Sequence, residues 1–185
     1  MDDHLSSPTA LLRREHELIL KVSDALAAMA RRSDEQALDW EMVSDCITFL
    51  RLYVDAFHHS KEEDFLFPSL VAHGLPGEAG PVAVMLFEHD QGREMVSEMV
   101  KAAGDASADD PQAAGRLRDA ALGFQDLITA HIGKENGILF GIADQIIEDE
   151  ARRELGSAYE SVSERLFEGH SKSDLEAIAS RVLDG

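Results

Sequence analysis

The sequence predicts an all-α protein, an antiparallel up-down-up-down four-helix bundle followed by a C-terminal helical extension. Apolar residues recur every three or four positions along most of the 185 residues, whereas alternating β-branched runs are scarce. Dense clusters of helix-breaking residues separate the periodic stretches at 73–81 and 104–111. Four long helices with short connections make an antiparallel bundle the default arrangement.

The four periodic stretches set the expected bounds of the helices. The first begins at the segment Ser6-Ser7-Pro8, because serine caps well and proline suits the first turn, and it runs to about Arg31. The others cover about 38–72, where Pro68 is expected to introduce a kink, 82–103 and 111–147. We therefore expect one domain at 1–147. Residues 148–185 are expected to form a helical extension, broken near Gly169, that packs on the bundle or on a partner such as a second copy.

The composition excludes several classes of protein. Acidic residues outnumber basic ones by 36 to 17, for a formal charge of −19, and a surface this negative repels nucleic acid and anionic lipid. The single cysteine, Cys46, rules out an intrachain disulfide and a thiolate-rich metal cluster. An apolar run of about 20 residues and a signal-peptide pattern are both missing. We expect a cytoplasmic protein that binds neither nucleic acid nor membrane.

The histidines reveal an internal repeat with an offset of 73 residues. In each half, two histidines lie 42 residues apart. The two halves therefore look like related helical hairpins. The repeat relates Glu15-His16 to Glu88-His89, His58 to His131, Lys61-Glu62 to Lys134-Glu135, and Leu66-Phe67 to Leu139-Phe140.

The same spacing predicts that the polar residues of the repeat share one level of the bundle. Two residues of an antiparallel helix pair lie at one level when they are equally distant from the connecting turn. The midpoints of the pairs 16/58, 62/89 and 89/131 fall in or close to predicted turns, near residues 37, 75 and 110. Six side chains should therefore lie together, namely His16, His58, Glu62, His89, His131 and Glu135.

These six side chains predict a metal site in the bundle core. His58 and Glu62, like His131 and Glu135, are four residues apart and hence on one helix face. Four imidazoles and two carboxylates would be costly to bury unpaired, and this donor set suits iron, manganese or zinc. Two histidines for each metal and two bridging carboxylates would complete a dinuclear site.

The segments around these positions resemble the hemerythrin-like family, known for its HHE cation-binding domain. The similarity covers about 8–147 and rests on residues 14–16, 57–68, 87–91 and 131–140. The resemblance implies a four-helix bundle with a non-haem di-iron centre, two iron ions joined by an oxo or hydroxo group, with manganese or zinc as alternative metals. Carried over residue by residue, it implies terminal ligands at His16, His58, His89 and His131, and bridging carboxylates at Glu62 and Glu135.

One departure from the oxygen-carrying members of the family bears on function. Those members have a second histidine four residues after the third-helix histidine and a carboxylate five residues after the last one. Here Arg93 takes the first place, and Glu135 lies four residues after His131. Glu94, five residues after His89, starts from a rotated face. The missing histidine leaves both irons open to a small ligand, which favours relatives associated with peroxide or nitric oxide chemistry, sensing and iron donation.

The resemblance thus implies a di-iron protein that binds and reacts with oxygen, peroxide or nitric oxide, with peroxide dismutation as the most specific activity. The enzyme would be a catalase-like oxidoreductase. A non-catalytic carrier, store or sensor of oxygen or iron is the alternative, and a helical bundle that binds no metal is the third interpretation. The expected partner is a small ligand.

His59 and Glu63 form a second pair at the same spacing, rotated by about 100° from the first. Their residue types make them candidates for alternative metal ligands. The repeat, however, has Ile132 and Asn136 at the corresponding positions, which favours a supporting or surface role for His59 and Glu63.

Glu15 and Glu88 recur in the repeat and leave two roles open. They either orient ligand histidines or belong to a solvated helix face. The tail beyond residue 148 carries no predicted chemistry.

Overall fold

The computed structural model describes residues 7, 9–33, 37–106 and 110–185, and these residues are almost entirely helical. The predicted all-α class is confirmed, since the β-type pairing within the described residues is one isolated bridge between Phe167 and His170. The first half contains α1 (Ala10–Arg31), α2 (Trp40–Phe49), the π-helical segments π1 (Leu50–His59) and π2 (Glu62–Leu66), and α3 (Phe67–Ala72). The second half contains α4 (Gly80–Ala106), α5 (Ala113–Lys134), the π-helical segment π3 (Glu135–Leu139) and α6 (Phe140–Ile146), and the C-terminal region contains α7 (Asp149–Ser163) and α8 (Lys172–Asp184).

Helix ends follow local sequence signals. Asp39 caps α2 by accepting from the backbone N–H groups of Glu41 and Met42 at 3.0 and 3.1 Å. A capping box formed by Ser171 and Asp174 starts α8. Ser6 and Pro8, predicted to start α1, lie outside the described residues.

The start of α1 differs from the prediction in its use of hydroxyl groups. The helix begins at Ala10, and the Thr9 side chain does not cap it. The Thr9 hydroxyl instead donates to the Asp144 carboxylate, with oxygen–oxygen distances of 3.0 and 3.1 Å. This bond ties the beginning of α1 to the end of α6.

Each long helical run neighbours two others. α1 contacts α2 and α5, while α4 contacts α5, α2 and π1. The second run is unbroken from residue 40 to 72 and the fourth from 113 to 146, passing from α-helical to π-helical geometry and back. Pro68 lies in the first turn of α3, directly after π2.

Two apolar clusters define the interior, and a polar layer separates them. Cluster 1 contains Ile19, Phe57, Val96 and Ile128, and cluster 2 contains Leu12, Leu66, Met85 and Leu139. Along each long run the chain passes between the clusters through a short stretch at 15–16, 58–63, 88–89 or 131–136. The six predicted side chains all belong to these stretches.

The C-terminal helices pack on the rest of the chain. α8 contacts α1, α2 and π1 and buries Leu175, Ile178 and Val182, while α7 contacts π2 and buries Leu155. Among the described residues, no helix combines the length and the apolar character that a bilayer span requires.

Candidate metal centre

The six side chains predicted from the repeat meet in the polar layer, and all are buried. The four histidines are at most 2% exposed, and Glu62 and Glu135 are fully buried. The Nε2 atoms of His16 and His131 lie 3.2 and 3.4 Å from Oε2 of Glu135. Those of His58 and His89 lie 3.5 Å from the two oxygens of Glu62. Each carboxylate therefore lies between histidines from both halves of the repeat.

The donor atoms separate into two groups that share Glu62. One group contains His16, His58, Glu62 and Glu135, and the other His59, Glu62, His89 and His131. Within each group, one ligand atom from every residue lies within 4.8 Å of all the others. The structure thus brings together two adjacent donor groups, each of which could hold a metal ion.

The histidines face each other in pairs through the same ring nitrogen. The Nε2 atoms of His16 and His58 are 3.1 Å apart, and so are those of His89 and His131. Both pairs join residues of one helical hairpin. At this distance at most one proton fits between the two nitrogens.

The opposite nitrogen of each of these four rings faces an oxygen acceptor other than the two inner carboxylates. Nδ1–H donates from His58 to Glu15 at 2.9 Å and from His131 to Glu88 at 3.0 Å. These bonds place the proton on Nδ1 and leave the Nε2 lone pair pointing into the layer. The sequence left it open whether Glu15 and Glu88 orient histidines or belong to a solvated helix face. The structure shows that both orient histidines.

The remaining two histidines complete this pattern. His16 Nδ1 lies 3.0 Å from the amide oxygen of Asn136, and His89 Nδ1 lies 2.6 Å from a Glu63 oxygen. Glu63 and Asn136 are equivalent in the repeat. The difference in residue type argued against a ligand role for Glu63 and favoured a supporting or surface role, and both residues accept a hydrogen bond from a histidine of the other half.

A lysine supports each outer glutamate. Lys61 Nζ donates to Glu15 Oε1 at 2.5 Å, and Lys134 donates to Glu88. Lys61 is fully buried beneath the Phe57 ring, whereas the Lys134 side chain is 40% exposed. The duplicated halves therefore differ in how strongly solvent screens this charge.

The two inner carboxylates, Glu62 and Glu135, lack hydrogen-bond partners within the layer. None of the four oxygens of Glu62 and Glu135 has a hydrogen-bond partner of acceptable geometry. Burial and the negative charge of Glu135 raise the pKa of Glu62 well above its ordinary value. Burial also opposes ionisation of Glu135, but His131 and His16 outweigh it and lower the pKa of that carboxyl. Orphaned buried oxygens facing imidazole lone pairs form a donor set that fits a divalent or trivalent cation.

Comparison with known families agrees with this geometry. A family model described as the hemerythrin HHE cation-binding domain matches residues 7–143. The chain belongs to this family. The resemblance stated from the sequence is thereby confirmed.

Curated relatives with significant similarity are named iron-sulfur cluster repair protein YtfE. That of Escherichia coli O81 (strain ED1a) is 36% identical over 87 residues, and those of Escherichia coli O1:K1 / APEC and Escherichia fergusonii are 34% identical. Each alignment covers 45% of this chain and 39% of the relative, so the chain spans about two fifths of the length of the curated relatives that it matches. No solved structure matches the chain significantly.

His59, for which the sequence left an alternative-ligand role beside a supporting or surface role, lies buried next to the polar layer. Its side chain is only 5% exposed, which excludes the surface role. The ring stacks on His89 with centroids 3.7 Å apart and an interplanar angle of 11°. Burial lowers the pKa of His59 well below its ordinary value, so the imidazole is neutral. The sequence signal for this second histidine beside the layer is the adjacent pair His58-His59 in the second helix.

Arg93, where oxygen-carrying family members have a histidine, lies outside the layer. Its guanidinium donates to Asp55 at 2.7 Å, to Glu63 at 2.6 Å and to Asp90 at 2.9 Å. Arg93 thereby holds Glu63 against His89. Glu94 is exposed on α4 and belongs to neither donor group.

A half-open cavity of about 450 Å³ reaches this side of the HHE centre. His59, Arg93 and Asp55 line it together with an apolar wall that includes Val54 and Phe124. The lining also includes the exposed residues Arg51, Ser97 and Val100.

Tyr159 of α7 was not predicted to matter, yet it lies near the polar layer. Its hydroxyl is buried without a hydrogen-bond partner. Burial, followed by the charges of Glu62 and Glu15, raises its pKa well above the ordinary value. The C-terminal region therefore contributes a polar atom to the surroundings of the centre.

Proposed function

We propose that this chain is a non-haem di-iron protein that binds and reacts with oxygen, peroxide or nitric oxide. The observation that carries the proposal is the set of four inward imidazole lone pairs around two carboxylates that lack any hydrogen-bond partner. Oxygen and nitrogen donors of this kind suit iron, and manganese or zinc would accept most of them. Iron is favoured because the similar curated proteins are named for iron-sulfur cluster repair.

In this proposal each metal takes two histidines and shares two carboxylates. His16 and His58 hold the first metal, and His89 and His131 hold the second. Glu62 and Glu135 would be shared by the two metals, since each carboxylate lies near histidines of both halves.

We also propose the architecture that presents these ligands, an antiparallel up-down-up-down four-helix bundle over residues 1–147, with 148–185 as an extension packed on it. The support is the order in which each helical run crosses from one apolar cluster to the other. Successive runs cross in opposite directions, so residues distant in sequence face one another in the layer.

When bound, iron supplies the redox and Lewis-acid chemistry. The protein's residues position it: outer acceptors on Nδ1 fix each imidazole, and Phe140 and Phe67 stack on His16 and His89 at centroid distances of 5.3 and 5.8 Å. The two apolar clusters keep bulk water from both sides of the layer.

Peroxide dismutation is the reaction to test first, two hydrogen peroxide molecules giving one oxygen molecule and two water molecules. Iron-loaded protein should evolve oxygen from peroxide, and His58→Ala should abolish this. Metal analysis and optical spectra before and after peroxide addition should be recorded on the same samples. If the protein contains about two irons per chain but does not turn over peroxide, the enzymatic function is excluded and a binding function remains. Protein without metal would remove the di-iron proposal.

A non-catalytic iron carrier or donor is the second candidate, and it is favoured because the similar proteins are named for iron-sulfur cluster repair. It predicts that iron leaves the folded protein for an acceptor protein or a chelator without loss of helicity. Iron that is retained against chelators for hours would count against it.

A further inference from the structure

Three carboxylates surround the guanidinium of Arg93, which lines the cavity beside the polar layer. Its Nε lies 2.7 Å from Asp55, its Nη2 2.6 Å from Glu63 and its Nη1 2.9 Å from Asp90. Three negative charges thus face one positive charge. The cluster keeps a negative excess that attracts cations to this side of the protein.

The cluster is connected to the polar layer through Glu63. The Glu63 oxygen that pairs with Arg93 also accepts from Nδ1 of His89 at 2.6 Å. His89 in turn directs Nε2 toward Glu62 and His131. A single imidazole therefore separates the outer carboxylates from the inner donors.

His59 is an independent sign that a cation is received here. Both of its ring nitrogens are buried without a hydrogen-bond partner, which is costly unless another partner replaces water. Nδ1 lies 3.4 Å from Oδ1 of Asp55, an oxygen that already accepts from Arg93. An imidazole nitrogen and a carboxylate oxygen this close are a donor pair that suits a divalent transition metal once the arginine moves away.

The arrangement belongs to one half of the repeat. At the offset of 73 residues, the positions equivalent to Arg93, Asp55 and Glu63 are Leu20, Ile128 and Asn136. The duplicated hairpin therefore folds without this cluster of charges. Its presence in the other half calls for a reason other than the architecture of the bundle.

Arg93 is placed so that it can leave the cluster. Its side chain is 36% exposed, and Asp90 is more exposed still. Water therefore competes for these ion pairs, and a long side chain turns toward solvent at little cost.

We propose that Asp55, Glu63 and Asp90 form an entry site for divalent metal ions, which Arg93 fills and closes until a cation displaces it. The inference rests on the proposed function and adds to it the route by which the metals arrive. His59 is the first nitrogen donor that an entering cation meets.

The rate of cobalt(II) uptake by the metal-free full-length chain, followed by stopped-flow absorption, tests the entry site. Arg93→Gln removes the competing charge, so uptake at low salt should become about three- to tenfold faster. Adding Asp55→Asn to this variant removes a carboxylate and should cancel the gain. Unchanged or slower uptake in Arg93→Gln, or a double variant as fast as the single one, would overturn the proposal.

Arg116→Gln is the matched control, because it makes the same change of total charge elsewhere. Arg116 lies between Asp105 and Asp110 at 2.7 and 2.8 Å, and it has no part in the donor groups. Its loss should leave the uptake rate unchanged. An equal acceleration in Arg116→Gln would show that net charge, and not this cluster, sets the rate.

The unaltered protein offers a measurement that needs no variant. Because Arg93 has to move before a cation enters, the uptake rate should level off as the cobalt(II) concentration rises. A rate that stays proportional to concentration would refute the closure by Arg93. Circular dichroism should verify that each variant folds, and if Arg93→Gln does not fold, this wild-type dependence decides.

Failure of the entry site and failure of the proposed function give different results. Protein that reaches its full metal content with uptake rates insensitive to Arg93 contradicts the entry site and leaves the di-iron proposal intact. Protein that never binds metal refutes the proposed function itself.

Discussion

The Nε2 atoms of His16 and His58 face each other at 3.1 Å while their Nδ1 protons are committed to Asn136 and Glu15. Two lone pairs at this distance repel, and the nearby carboxylates of Glu62 and Glu135 add negative charge. A cation placed among these atoms converts the repulsion into attraction. Metal binding and folding stability should therefore be strongly linked.

Metal loading should raise the melting temperature of the protein. Ligand binding to the native state stabilises it by about 4 kcal/mol at a thousandfold excess over the dissociation constant. Thermal denaturation with and without iron, manganese or zinc measures the effect. His73→Phe should keep the shift, and Glu135→Leu should lose most of it. A melting temperature that responds to none of the three metals would contradict a cation site in the layer.

Removing Glu15 should destabilise the metal-free protein more than removing Glu88. Glu15→Gln leaves the fully buried Lys61 without its carboxylate, and breaking a buried ion pair costs about 3–5 kcal/mol. Lys134 is 40% exposed, so water replaces Glu88 and the loss of stability in Glu88→Gln should be about 1 kcal/mol or less. Urea denaturation measures both values.

The same pair of variants should behave alike toward metal. Each removes the acceptor that orients one histidine, which typically weakens metal binding by about 10–100-fold. Competition with a chelator measures the affinity. Equal losses of stability in the two variants would show that the burial of Lys61 has no energetic consequence.

The sequence predicted the layer well because its spacing encodes level. Two residues that are equally distant from an antiparallel turn, such as residues 16 and 58, lie at the same height in the bundle regardless of how each helix rotates. This spacing identified six candidate ligands. Rotation was harder to predict. The π1 segment, with its i to i+5 bonding, turns less per residue than an α-helix, so His58 and His59 both reach the layer.

The outer partners could be predicted only in part. The repeat pointed to Glu15 and Glu88, but a helical pattern alone does not tell a buried acceptor from a solvated one. Asn136 shows a further limit. Its amide oxygen accepts a hydrogen bond from a histidine, as the carboxylate of Glu63 does in the other half, although the two residue types differ. The cavity beside Arg93 depends on tertiary packing and has no signal in the sequence.

Acidification should destabilise the metal-free protein between pH 7.5 and 5. Burial lowers the pKa of His58 from 6.5 to about 4, so the unfolded chain binds a proton below pH 6.5 that the folded chain refuses. Stability is therefore lost as the pH falls, by about 2 kcal/mol at pH 5 from this group. His59 adds to the loss, whereas His131 and Glu62, whose pKa values are raised, oppose it, so the contribution of His58 is read from the difference between the wild type and a His58 variant. Urea titrations at several pH values provide the measurement.

His58→Gln is the matched variant for this pH dependence, since it removes the titrating group and keeps a polar side chain. Its stability should depend less on pH over the same range. The same pH dependence in the wild type and in His58→Gln would contradict the assignment of His58 as a neutral buried imidazole.

Narrowing the cavity should slow the approach of small ligands to the centre. Ser97 is an exposed residue of the cavity lining, and Ser97→Trp would place an indole in this space. Stopped-flow binding of azide to the iron-loaded protein should become several-fold slower, with metal content unchanged. Ser97→Ala should bind azide at the wild-type rate. Equal rates in all three proteins would show that ligands enter elsewhere.

The C-terminal extension should contribute to the stability of the whole fold. Leu175 of α8 is fully buried in cluster 1, which also contains residues of α1, α2 and α5. Leu175→Ala should therefore lower the free energy of unfolding by about 2–5 kcal/mol. Leu183, on the same helix, is 40% exposed, and Leu183→Ala should change it by about 0.5 kcal/mol or less. A single unfolding transition that moves with Leu175→Ala identifies one cooperative unit, whereas an unshifted main transition would mean that α8 unfolds independently of the bundle.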